Sequence, residues 1–428
     1  MNIPPLIRRL HRTIQVARTI DLERSQWWPY ERLREFQNHR LRRIVTYAYA
    51  QIPAYRRKFD AAGLTPDDIR TIEDLPRLPV TKREEMQDNP DFVNSEIIAD
   101  TLYTGGSTGT SLRYFDSRNS ATVRWSAHLR GWRWNGYAPG GKRLAVVASA
   151  QGSIGQSPLT LTLLGDMTPA SMERNVSSLV QFKPHHLRGY VGSLYLLARY
   201  CQDENIRLPT LQSINPISEN LYAYQRETME QAFGCPVFEE YCCNDGGACA
   251  WECNAHQGLH ACMERAIIED VDGEMVVTDL WNMAMPFIRY RNGDSVVHLK
   301  HECPCGRQLP LIRVRGRTND MIITPKGPLA PTYLMFHGIK YNDASQFRSG
   351  IRAVQYVQKP GYRLEVYAVL NPWCNQNLLD AFLKDVKAIT HGMQVSLHVV
   401  NDIPATPQGK RQFVRNEDTD LLDAWGKH

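Results

Sequence analysis

Along the first 75 residues the apolar positions recur at helical spacing, as in Leu33, Phe36, Leu41, Ile44, Val45 and Tyr49. That period predicts amphipathic helices over 1–75. Residues 74–82, Asp-Leu-Pro-Arg-Leu-Pro-Val-Thr-Lys, break the pattern as a proline-punctuated loop. From 120 to 300, short β-branched runs alternate with helical stretches: 143–149, 235–238 and 274–280 read as strands, 193–205 and 219–233 as helices. Strands alternating with helices predict α/β layers. Past Arg317 the character changes, with strand patterns at 321–324, 354–357, 364–369 and 394–400 around a helix at 376–389. This is a small α+β module of about 110 residues, a size that suits an independent domain. The expected division is 1–316 and 317–428, and the boundary at 317–320 suits a hinge.

Composition narrows the class. A chain of 428 residues exceeds what one core usually serves. It is 43% hydrophobic and 22% charged, and no apolar run is long enough to predict a membrane span. The net charge of +5 is concentrated at the front, where residues 1–60 carry thirteen Lys/Arg against five Asp/Glu. No aromatic platform accompanies that charge, so a solvated helical face is expected and nucleic-acid binding is not. Eight of the ten cysteines (Cys235, Cys242, Cys243, Cys249, Cys253, Cys262, Cys303 and Cys305) crowd one stretch. Without a signal peptide, this clustering predicts reduced thiols, a metal site and a cytoplasmic location.

Four polar motifs carry the candidate chemistry. Thr104, Gly105, Gly106, Ser107, Thr108, Gly109 and Thr110 form a run whose glycines and hydroxyls can converge on an anion. It lacks the Gly-Lys-Ser/Thr ending of a P-loop. Asp294 follows Arg289, Arg291 and an Asn-Gly pair, a turn-like setting from which a carboxylate can accept bonds from a ribose diol. Arg317 stands at the domain boundary, where it can reach a nucleotide or its phosphate. Lys410 lies on a proline-rich late loop and can meet developing negative charge if the small domain folds over the site. Separately, Cys253-x6-His260 and Cys303-Pro-Cys305 offer a Cys3His set suited to structural zinc. Cys249, Cys262, His256 and His301 are alternative ligands by their nearness in sequence. Glu219, Trp132 and Trp134 border a pocket or belong to the core.

In this order the motifs resemble those of the adenylate-forming superfamily, and most closely its phenylacetate–CoA ligase-like branch with the capsule-biosynthesis relatives. Thr104–Thr110 is similar to the phosphate loop, and Glu240-Tyr241-Cys-Cys-Asn-Asp245 to the aromatic-plus-acid adenine motif. Arg291-Asn-Gly-Asp294, Gly316-Arg317-Thr-Asn-Asp320 and Gly409-Lys410 resemble the ribose, hinge and catalytic-lysine motifs, with Leu78-Pro-Val-Thr-Lys82 a weaker likeness. The positions of Cys253, His260, Cys303 and Cys305 resemble those at which members of the branch hold zinc.

The resemblance implies an α/β fold, a large multi-layer N-terminal adenylation domain carrying a small mobile α+β C-terminal domain. It implies an AMP-forming ligase that uses ATP and Mg2+ to activate an aryl or acyl carboxylic acid, with CoA as co-substrate. Tyr241 would stack on adenine, Asp245 hold Mg2+, Asp294 bind ribose and Arg317 contact ribose or phosphate. Lys410 would bridge the acid and the α-phosphate, and Asn319, beside Asp320, would be the pivot. The chain departs from the pattern in lacking a lysine in Thr110-Ser-Leu-Arg113 and in carrying Cys242 for glycine and Asp245 for glutamate. An amine acceptor is the alternative within the enzymes, and a zinc-stabilised, non-catalytic nucleotide binder the alternative outside them. A homodimer is a compatible assembly.

Overall fold

In the computed structural model the described residues are 15, 17–103, 112–149, 155–164, 169–218, 221, 223–315, 322–329, 334, 351–370, 372, 374–401, 414–418 and 421. They gather into two compact units. The first draws on Met1–Thr104, Leu112–Pro139 and Phe238–Gly316, the second on Gly105–Ser111, Gly140–Val237 and Arg317–His428.

The first unit is built on a seven-stranded sheet. Its order is Ala266–Val271, Glu274–Asp279, Tyr290–His298, Leu311–Arg315, Leu259–Ala261, Cys249–Glu252 and Glu240–Cys242, with antiparallel neighbours throughout. A separate hairpin pairs Ile98–Tyr103 with Arg113–Ser117. The expected N-terminal helices are present as Tyr30–Gln51 and Pro53–Ala61. Leu33, Leu41, Ile44 and Val45 are fully buried on one face, whereas Phe36 and Tyr49 are half-buried at its edge. Polar anchors fix the helices to the 260–290 region: Gln37 Nε2 donates to Met263 O at 2.8 Å, and Arg40 donates to Leu280 O at 2.9 Å. Tyr55 Oη donates to Pro286 O at 2.9 Å and accepts from Ile288 N at the same distance. Not all of the basic front is solvated, because Arg40 is buried with its guanidinium 3.6 Å from the centre of the Trp281 ring.

The helix Arg118–Trp134 packs on this sheet, and Gly131 makes the approach possible. A Cβ at that position would lie 2.3 Å from the Trp251 ring, so no other residue fits without displacing it. Trp134 is buried and donates from Nε1 to Gln26 at 2.8 Å, which makes it a core residue.

The second unit holds a five-stranded sheet ordered Gly155–Gln156, Thr160–Leu164, Leu144–Ser149, His186–Tyr190 and Ser213–Ile217. All its neighbours are parallel except the first pair. Helices Pro169–Phe182, Val191–Asp203 and Ala223–Phe233 accompany it, which is the crossover arrangement that parallel strands need. The strand expected at 235–238 is only an isolated bridge between Val237 and Ile214.

The same unit contains a four-stranded sheet ordered Gln394–Val399, Arg363–Leu370, Ile351–Lys359 and Val414–Asn416. Helix Gln376–Ile389 coincides with its expected bounds. The Asn375 side chain caps it by accepting from Leu378 N at 3.0 Å, and Leu379, Phe382, Val386 and Ile389 are buried along one stripe. Buried Gln358 joins the hairpin Ile322–Thr324/Gly327–Leu329 to this sheet by bonding both N and O of Ile323, at 2.6 and 2.9 Å. The chain is therefore a mixed α/β protein.

Candidate functional site

Tyr241, Asp245 and Asp294 all lie in the first unit. The phosphate-loop residues Thr104–Thr110, the boundary residues Arg317, Asn319 and Asp320, and Lys410 lie outside the described residues. Tyr241 belongs to the edge strand Glu240–Cys242, four positions in sheet order from Tyr290–His298. A flat sheet would separate those strands by about 19 Å at normal strand spacing. Yet Tyr241 Oη donates to Asp294 Oδ2 at 2.7 Å, and Asn292 Nδ2 donates to Tyr241 Oη at 2.9 Å. The sheet must curl upon itself, as twisted antiparallel sheets do.

Asp294 does not sit in a hairpin turn, as the Asn-Gly-Asp sequence suggested. Glu274 pairs with Ser295 but Val276 pairs with Arg291, so extra residues bulge within the strand Tyr290–His298. Gly293 accommodates the bulge at φ +88°, a backbone conformation in which glycine meets no steric cost. Asn292 Oδ1 accepts from Asp294 N at 3.0 Å and closes the local turn. The bulge re-aims Asp294 towards the tyrosine.

Asp245 is buried, and its carboxylate accepts from Tyr290 Oη at 3.0 Å and from the Cys243 thiol at 3.1 Å. Burial is the main force raising its pKa above the ordinary 3.8, and the hydrogen bonds and Arg83 pull the other way. Burial also pushes the Tyr241 hydroxyl well above 10, with the Asp294 charge acting in the same direction. Both phenols thus remain protonated and donate to the carboxylates.

The arginines of this motif have structural work. Arg289 pairs with Glu269 at 3.1 Å and donates to the carbonyls of Pro76, at 3.2 Å, and Leu78. Thr81 N donates to Arg289 O at 2.7 Å, and Arg291 N to Thr81 O at 3.0 Å. These bonds dock the Leu78–Lys82 segment against the strand, and Arg291 pairs with Glu274 at 2.9 Å.

The second cluster is made of Cys253, His260, Cys303 and Cys305, whose ligand atoms all lie within 4.8 Å of one another. The Cys253 and Cys303 sulfurs are 3.5 Å apart, and Cys305 Sγ is 3.3 Å from His260 Nε2. A tetrahedral ion with Zn–S bonds of about 2.3 Å would hold sulfurs about 3.8 Å apart, so the quartet fits zinc. His260 Nδ1 lies 3.0 Å from Leu309 O, which leaves Nε2 for an ion. The alternative ligands lie elsewhere: Cys262 receives Arg130 at 3.0 Å, Cys249 is buried in the core, and His256 contacts Glu252 at 3.2 Å.

Two groupings, one buried and one half-buried, were not expected from the sequence. Arg130 and Glu264 form a buried ion pair at 2.7 Å, joined by Ser25 at 2.5 Å. His128, Glu240 and Cys242 bring three potential ligands within 4.8 Å. The only advance signal for the latter was the i, i+2 spacing of Glu240 and Cys242.

No protein-family model matches the chain. It is 26% identical to Protein CapK of Staphylococcus aureus over 411 residues, covering 89% of each chain. It is 28% identical to phenylacetate-coenzyme A ligase of Thermus thermophilus over 343 residues, covering 71% of this chain and 74% of that one. Among solved structures, 2-hydroxyisobutyryl-CoA ligase in complex with 2-HIB-AMP and CoA superposes with a TM-score of 0.64 at 21% identity, covering 94% of both chains. In sequence the chain is thus similar to CapK and to phenylacetate-coenzyme A ligases, and its fold is similar to that of 2-hydroxyisobutyryl-CoA ligase.

Proposed function

We propose that the protein is an AMP-forming ligase that activates a carboxylic acid with ATP and transfers the acyl group to CoA. The observation that carries this reading is the Tyr241–Asp294 bond of 2.7 Å, joining two motifs 53 residues apart into one network. Tyr241 is held through its hydroxyl by Asp294 and Asn292, so its ring is a fixed platform for adenine. The Asp294 carboxylate accepts from Tyr241 and retains lone-pair capacity for a ribose diol. In the first step a substrate carboxylate oxygen bonds to the α-phosphorus while the bond to pyrophosphate breaks. In the second, the CoA sulfur bonds to the acyl carbon and AMP departs, with the thiol proton passing to solvent.

The remaining assignments belong to the same proposal. Thr104–Thr110 would cradle phosphates, Arg317 contact the ribose or phosphate, and Lys410 stabilise the charge that develops between acid and α-phosphate. Asp245 offers an oxygen of the type Mg2+ prefers, and a bound Mg2+ would neutralise phosphate charge. Residues 317–428 would move as a lid about Asn319 and Asp320. Zn2+ held by Cys253, His260, Cys303 and Cys305 would tie the 253–260 region to the 303–305 loop. A cytoplasmic setting suits a chain whose cysteines are all free thiols. Among the described residues no helix is long and apolar enough to cross a membrane.

The test is pyrophosphate release from ATP across a panel of aryl and aliphatic acids, with hydroxylamine to trap the adenylate and loss of free CoA thiol as the second readout. Acid-dependent release with thiol loss is expected. Release without thiol loss would move the acceptor to an amine, and no acid-dependent release with nucleotide bound would sink the reading.

A further inference from the structure

Glu240 and Cys242 stand two residues apart on one strand, so they project from the face opposite Tyr241. The helix Arg118–Trp134 packs over that face through Gly131 and presents His128 to them. Cys242 Sγ lies 4.0 Å from His128 Nδ1, and one ligand atom from each of the three residues falls within 4.8 Å of the others. The surroundings are aromatic: the rings of Trp132, Trp251 and Trp125 lie 5.4, 5.5 and 5.8 Å from that of His128. Trp132 Nε1 donates to Glu240 Oε2 at 2.8 Å and orients a carboxylate that is only 6% exposed. Trp125 is itself 49% exposed, so the cluster lies within reach of solvent.

We propose that His128, Glu240 and Cys242 form a second metal site that takes a borderline divalent transition-metal ion, Zn2+ foremost. One nitrogen, one oxygen and one sulfur are the three donor types that zinc accepts. A tetrahedral ion would set the nitrogen and sulfur about 3.5 Å apart, so the 4.0 Å gap needs to close by only about half an ångström. Binding releases the thiol proton and neutralises a carboxylate held in an aromatic pocket. The quartet at Cys253 fills its own tetrahedron, but three protein ligands leave one position for water or a donor atom of a small molecule. The second ion is therefore the more easily removed of the two. This inference does not depend on the adenylation reading, because it concerns metal content alone.

The experiment is zinc titration of the full chain, with metal content measured after dialysis and Co2+ used as a spectroscopic probe of thiolate ligation. The wild type is expected to bind a second equivalent that a mild chelator strips first. Cys303→Ser should retain that labile equivalent and its thiolate-to-cobalt absorption. Cys242→Ser should lose the labile equivalent and retain the resistant one. Glu240→Gln, nearly isosteric, should weaken the labile site about tenfold or more while its thermal unfolding guards against a folding defect. One equivalent that disappears in Cys303→Ser and is untouched by Cys242→Ser or Glu240→Gln would overturn the proposal.

Discussion

Two polar clusters in the first unit solve the problem of burying charge in opposite ways. In the Tyr241–Asp294–Asp245 network each carboxylate already accepts from a phenol, at 2.7 and 3.0 Å, so the protein satisfies it internally. In the Cys253–His260–Cys303–Cys305 quartet the groups face one another at 3.3–3.5 Å, and a cation would complete them. The difference teaches what each can bind. A cluster of converging soft donors calls for an ion and stays closed. An internally satisfied network is stiff and offers its remaining lone pairs to a ligand that comes and goes.

The sharpest test of this contrast is to move charge at each cluster. In the proposed reaction negative charge develops between the acid and the α-phosphate, and the proposal gives Lys410 the part of meeting it. Lys410→Ala should cut adenylate formation by about 10²–10³-fold, the loss of about 2.7–4 kcal/mol expected for one electrostatic donor, with ATP binding nearly unchanged. Single-turnover formation of hydroxamate reads it, and unchanged adenylation would remove the lysine from the mechanism. At the quartet, Cys303→Ser should weaken zinc by about 10²–10³-fold, since four ligands share roughly 10–16 kcal/mol. Competition with a zinc chelator measures it, and wild-type affinity would show that Cys303 is no ligand.

Smaller changes separate the two parts of the carboxylate network. Asp294→Asn should raise the dissociation constant for ATP by about tenfold or more, because charged hydrogen bonds contribute about 1.5–3 kcal/mol. Tyr241→Phe keeps the ring and loses only a hydrogen bond of about 1 kcal/mol, so roughly fivefold is expected. An equal effect from both would mean that the hydroxyl, rather than the acid, meets the ribose. The smallest effect is on stability. The Asp245 pKa is raised in the fold, so its proton stabilises the native state below pH 3.8 and that contribution fades as pH rises through the raised value. Asp245→Asn should therefore melt slightly above the wild type at neutral pH, and the gap should close as pH falls towards 3.8. A gap that widens in acid would reverse the sign.

Local patterns made much of this architecture legible. Helix Gln376–Ile389 was readable to the residue because Asn375 marks its start and its apolar stripe is regular. The strands at 144–149, 274–279 and 363–370 were legible as β-branched runs. The Cys3His set was visible because its ligands lie within two short stretches. Other features depend on partners far away in sequence. Asn-Gly-Asp reads locally as a turn, and only the pairing with Glu274–Asp279 makes it a bulge. Cys235–Phe238 has strand chemistry but only one bridge to make. His128 is 114 residues from Cys242, and no spacing rule joins a residue on a helix to a strand so distant. Arg40 looked solvated because its ring partner, Trp281, lies on a later segment.

The N-terminal anchors have a consequence for synthesis. Gln37, Tyr55 and Arg40 reach partners 226, 231 and 240 residues downstream. At about 5–20 residues per second, the ribosome needs on the order of 12–48 s to deliver the last of these after Arg40 emerges. Throughout that interval the apolar face of Tyr30–Gln51 can be covered only by early neighbours such as Tyr55, Phe59 and Ile69, and the part that meets the later strands stays bare. An early helix is thus among the last to complete its packing, and the nascent chain is an expected client for a chaperone that shields exposed apolar helices.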